Sequence, residues 1–168
     1  MAEEDTVFSS KIKYSGIFSF KDFYKFCYDW VGEEMGLDVA EDKYKEKLAG
    51  DTKTVEAEWT ATKKVTDYFK FKVKIKMKAD PLQETEITQG AAKIKTNKGG
   101  IELEAKGILI RDWEGKFERS GFQKFMRSIY ERWVIKSRVL EFEDRLIGRC
   151  SGFLEQAKAW LDLEGKQK

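Results

Sequence analysis

Histidine is absent from the chain. Within these residues that removes an imidazole general base, a His-ligated zinc and a proximal-His haem. Cysteine occurs twice, as Cys27 and Cys150. Two thiols cannot complete a four-thiolate metal site, and they do not make a disulfide framework. Both fall on apolar helical stripes and are expected as buried small hydrophobes. Proline occurs once, as Pro81, and asparagine once, as Asn97. No run approaches the ~18 apolar residues of a membrane-crossing helix. Residues 1–18 open acidic and are interrupted by Lys11 and Lys13, so no signal-peptide core is expected there. The expected location is a reducing cytoplasm. The nucleotide fingerprints G-x-x-x-x-G-K-[ST] and G-x-G-x-x-G are missing, as is the nucleophile-elbow pattern G-x-S-x-G. Carboxylate pairs such as Glu33-Glu34, Glu41-Asp42 and Glu143-Asp144 are sequence neighbours, so they diverge instead of converging across a cleft. The reading leans away from an enzyme, with no catalytic residue, metal or cofactor expected.

What is present is ample core material. Of 168 residues, 41% are hydrophobic and 14% aromatic, which rules out global disorder despite 37% charged residues. The length suits a single domain, residues 1–168. The formal charge of +2 gives no global drive toward nucleic acid. Lys and Glu dominate the polar residues, which hints at a thermophilic or archaeal source.

The hydropathy pattern predicts an α+β order. Residues 6–18 read as a strand. Residues 19–36 read as a helix capped by Ser19, with Phe20, Phe23, Tyr24, Cys27, Trp30 and Val31 on one stripe and Gly36 beyond its end. Residues 38–50 lean to a strand ending at Ala49-Gly50-Asp51. The clearest β signal is in 53–79, where Phe69, Phe71, Val73, Ile75 and Met77 alternate with Lys70, Lys72, Lys74, Lys76 and Lys78. A hairpin centred near Val65 would set Trp59 opposite Phe71 and Glu58 opposite Lys72. Pro81 is expected to end that strand. A weak strand over 84–96, a turn at Asn97-Lys98-Gly99-Gly100 and a strand over 101–113 follow.

Residues 120–164 read as helix. A continuous helix would run roughly 65 Å, against a globule about 40 Å across, so a break near 135–138 or at Gly148 is expected. The segment from about 138 to 168 would then extend from the globule or fold back. The first part of the helical region is expected on the sheet. Met126, Trp133, Leu140, Ile147, Leu154 and Leu161 recur every seven residues.

The resulting class is α+β: a curved antiparallel sheet of five or six strands packed on a long C-terminal helix, with one helix after the first strand. This order resembles the START and Bet v 1-like (helix-grip) superfamily. The chain has one helix after its first strand and a longer C-terminal helical region than a simple grip needs. The resemblance implies a sheet wrapped around the C-terminal helix, often with a hydrophobic cavity.

Three functions are expected. The first is a non-catalytic binding module whose cleft, lined by Trp59, Phe69, Phe71, Trp113 and Phe122, takes an apolar small molecule. The second is homo-oligomeric assembly through Leu140, Ile147, Leu154 and Leu161. The third, RNA binding by the lysine face of residues 68–78, is disfavoured. Glu56, Glu58, Glu102 and Glu104 have the parity to offset those lysines, and RNA-binding sheets present aromatics outward.

Overall fold

The computed structural model describes residues 3–115 and 120–165. Strand β1 (Glu3–Phe18) leads into helix α1 (Phe20–Asp29), which continues through a π-helical turn at Trp30–Glu34. Strands β2 (Asp38–Ala49), β3 (Thr52–Lys64), β4 (Phe69–Gln89) and β5 (Ala92–Arg111) follow. Helix α2 (Gly121–Ile129), with a π-helical turn at Tyr130–Val134, and helix α3 (Lys136–Gly165) complete the described chain. The strands form one open antiparallel sheet in the order β1-β5-β4-β3-β2. No helix among the described residues is long and apolar enough to cross a membrane.

Local chemistry explains the element ends. The Ser19 hydroxyl accepts from the Asp22 amide, capping α1. Gly36, at φ +67°, takes the left-handed turn into β2. The β3–β4 turn spans 65–68, where the Thr66 hydroxyl accepts from the amides of Tyr68 and Phe69. The hairpin is therefore centred two residues later than the pattern predicted. Trp59 lies opposite Ile75, not Phe71, and Glu58 opposite Lys76, not Lys72. The slip is an even number of residues, so every side chain keeps its face.

Pro81 does not end β4. Asp80-Pro81, joined by a cis peptide, is bulged out between Ala79 and Leu82, and pairing resumes beyond it. The segment predicted as a separate strand over 84–96 is the far half of β4, the turn at 90–91 and the start of β5. Asn97 to Gly100 lie inside β5 and form no turn. A Cβ on Gly99 would stand 1.7 Å from the Pro81 carbonyl oxygen. These glycines mark a close backbone approach under the bulge.

One sheet face carries the core. Val55, Ala57, Trp59, Phe71, Val73, Ile75, Met77, Leu103 and Ala105 are buried on it. Helix α1 covers the β3 side, with Tyr24 and Tyr28 edge-on to Trp59 at 5.0 and 5.7 Å. Helix α3 covers β1 and β5 through Phe142, Leu146, Cys150, Phe153, Leu154, Ala157 and Leu161. It comes in close over Gly107, whose missing Cβ would stand 3.1 Å from the Cys150 Sγ and 3.3 Å from Leu146. The helical region breaks at Ile135 (φ −120°, ψ 15°), within the predicted stretch. Its two parts take the reverse of their expected places. The later part, α3, lies on the sheet, and α2 has no buried residue.

Candidate docking surface

The expected cleft residues do not meet in one place. Trp59 is core beneath α1, and its indole N–H donates to the Tyr24 hydroxyl at 3.0 Å. Phe69 and Phe71 are core against Phe142, at 4.9 and 6.3 Å between ring centroids. Trp113 sits half-buried over the β3–β4 turn, donating to the Thr66 carbonyl at 2.8 Å beneath the Lys64 ammonium. Phe122 is 70% exposed on α2. The seven-residue row is divided as well. Leu154 and Leu161 are packed into the core and offer no surface, Ile147 is half-buried, and Leu140 is exposed.

The lysine face of β4 is largely met by its neighbours. Lys76 lies between Glu58 and Glu104 in register, and Lys78 between Glu56 and Glu102. Lys72 lies 3.4 Å from Glu4. Lys74, beside Thr60 and Lys106, has no such flank.

The unusual surface is α2. Ser120 caps it, its hydroxyl accepting from the Gln123 amide at 3.2 Å. Phe122, Phe125, Met126, Ile129 and Trp133 follow at helical spacing and share one face. That face points to solvent: Phe125 is 59% and Trp133 76% exposed. Val134 and Leu140 extend the exposed apolar surface.

The opposite, polar face of α2 is turned inward. Arg127 donates to Glu3 at 2.6 Å and lies 3.8 Å from the buried Asp112, with its side chain only 12% exposed. In the π-helical turn, Glu131 accepts from Arg111 at 2.5 Å and from the Tyr68 hydroxyl. Arg111 also binds Glu3 at 2.9 Å and Asp5 at 2.7 Å. The Tyr130 ring stands edge-on to Tyr68 at 5.5 Å. Burial and the Glu131 carboxylate push the Tyr68 phenol well above its ordinary range, so it stays a neutral donor. Desolvation raises the Glu143 carboxyl, and Asp5 nearby raises it further. Among the described residues, two guanidinium nitrogens, Arg111 Nε and Arg127 Nη1, are buried without a hydrogen-bond partner.

The strand ends explain this inversion. Toward its start β1 carries Glu3, in register with Arg111 at the end of β5, and Asp5, in register with Leu109. The inner sheet face thus turns from apolar to ionic at this corner. An ionic corner accepts the Arg127–Glu131 side of α2 and leaves the aromatic side outside. Between α2 and the body lies a cleft of about 650 Å³. Its walls include Lys124, Arg127, Ser128, Arg132, Lys136 and Glu131.

Sequence reasoning named Phe122 but missed Phe125, Ile129 and the Arg111–Arg127–Glu131 set. Periodicity shows which side chains share a face, not which way that face turns. The signal to be found was the pairing of charges on the inner side of α2 with the charges at the β1 and β5 ends. Among the described residues, no group of three or more His, Cys, Asp or Glu side chains could hold a metal ion. Compared with protein-family models, with curated proteins and with solved structures, the chain gives no match.

Proposed function

We propose that the protein is a non-catalytic docking module that sits on an anionic bilayer surface through the outward face of α2. The inversion of α2 carries this reading. A helix that buries Arg127 and Glu131 while exposing Phe122, Phe125 and Trp133 forgoes burial worth ~1.5–3 kcal/mol per large apolar side chain, unless something covers it. Charge selects the cover. The exposed charged side chains of residues 121–138 are Lys124, Arg132, Lys136 and Arg138, all cationic. Two copies meeting face to face would set these like charges against one another. A negatively charged bilayer meets both features: the aromatic side chains enter the headgroup–acyl boundary, and each cation near the surface contributes about 1 kcal/mol. The expected apolar small molecule fits less well, because Trp59, Phe69 and Phe71 are packed against neighbouring rings.

Sedimentation with phosphatidylcholine vesicles, with and without phosphatidylserine, tests the reading. Binding is expected only with the anionic lipid, weakening with salt, and Trp133→Glu is expected to reduce it about ten-fold or more. Light scattering on the same samples gives the contrary result its meaning. A dimer that Trp133→Glu dissolves, with no vesicle binding, assigns the face to a second copy and ends the reading.

A further inference from the structure

Beside the docking face, the cleft between α2 and the sheet corner has an unbalanced lining. Among the described residues it is lined by five cationic side chains against two carboxylates, Glu3 and Glu131. Both carboxylates are already engaged by Arg111 and Arg127. The remaining three cations, Lys124, Arg132 and Lys136, have no carboxylate within ion-pair distance among the described residues, and the Ser128 hydroxyl between them has no hydrogen-bond partner there. Arg132 only leans on the Trp133 ring, 5.9 Å away. The inner wall is rigidly held by the Arg111–Glu131 and Arg127–Glu3 pairs, which fix the side of α2 from which these groups project.

We infer that this cleft is a binding site for a phosphate monoester. Lys124, Arg132 and Lys136 supply charge, and the Ser128 hydroxyl supplies a neutral donor. A monoester dianion suits three uncompensated cations better than a singly charged diester or a carboxylate does, because charge-assisted hydrogen bonds form to each of its free oxygens. The cleft volume of about 650 Å³ exceeds what inorganic phosphate fills, leaving room for the group that carries the ester. The cleft opens beside the apolar face, so a phosphorylated headgroup could enter it while Phe122 and Trp133 sit among acyl chains. That placement rests on the docking reading; the phosphate site does not.

The test has a soluble arm and a lipid arm. In the first, inorganic phosphate is titrated at constant ionic strength while amide shifts are followed by NMR. Saturable shifts at Lys124, Ser128 and Arg132 are expected. Ser128→Asp, which sets a negative charge among these cations at an exposed position, is expected to weaken the site about ten-fold, the worth of one charge-assisted bond. In the second arm, vesicles bearing phosphatidic acid, a monoester, are compared with phosphatidylserine vesicles of matched surface charge. Preference for phosphatidic acid that Ser128→Asp removes assigns the site to a lipid headgroup. Saturable phosphate binding without that preference supports the site with a soluble phosphate ester as its ligand. Saturation in a protein that binds no vesicle at all supports the site and ends the docking reading. No saturable shift at these residues, with equal binding to both vesicles, overturns the inference and leaves docking standing.

Discussion

Gly99 is the position where a missing methyl decides whether two strands can pass. Its Cβ would stand 1.7 Å from the Pro81 carbonyl oxygen, against backbone that cannot rotate away as a side chain would. Gly100 next to it leaves 3.2 Å to the Asp80 oxygen. Gly99→Ala is expected to cost more than about 3 kcal/mol in denaturant unfolding, and Gly100→Ala clearly less. Equal midpoints for the two variants would mean that the bulge shifts freely. The Glu143 carboxyl lies above its ordinary range because of partial burial and the Asp5 charge. A carboxyl raised on folding favours its protonated form in the native state. It therefore opposes stability once pH exceeds both its unfolded and folded values, and that cost vanishes as pH falls below the unfolded one. Glu143→Gln should accordingly raise the melting temperature at neutral pH and lose the gain in acid. No gain at pH 7 would show that Arg111 already offsets the charge. The glycine pair also shows what a residue reading misses. The sequence marks where glycine stands but not whether it serves a turn or a close approach, and Asn97-Lys98-Gly99-Gly100 has the composition of both.

Helix α2 makes the corresponding point for whole elements. It is joined to the sheet corner by long polar side chains, so its attachment and the core can be separated. Arg127→Ala removes the contacts to Glu3 and Asp112. Amide exchange over residues 121–134 should then quicken about ten-fold, with β4 and β5 unchanged. Equal loss of protection in both strands would show that α2 and the sheet unfold as one unit. The strands themselves were legible: β3 and the first half of β4 fall where alternation put them, β2 ends at the expected Ala49-Gly50-Asp51 turn, and α1 begins at the predicted Ser19 cap. An alternation of period two survives an even slip, so the four-residue offset of the β3–β4 register had no sequence signature. The orientation of α2 was illegible for another reason. Met126 and Trp133 share a seven-residue spacing with the core residues Leu154 and Leu161, and the bend at Ile135 turns the first pair outward.

For the molecule as a whole, the α+β class and the strand–helix–sheet–helix order followed from hydropathy alone, because each long element carries its own period. The candidate site did not, because it is assembled from residues far apart in sequence: Glu3, Arg111 and Arg127 meet at one corner. Aromatic content pointed inward to a cleft, yet Trp59, Phe69 and Phe71 fill the space between sheet and helices, while Phe122 and Trp133 remain outside.

The Ile135 bend thus separates two joints of opposite temperament. On one side, α3 is held over Gly107 by a dry seam that excluded salts such as sulfate would tighten. On the other, α2 is tethered by charge, a grip that dissolved ions loosen wherever water reaches it. Concentrated sulfate would therefore firm the trunk of this protein and slacken its arm.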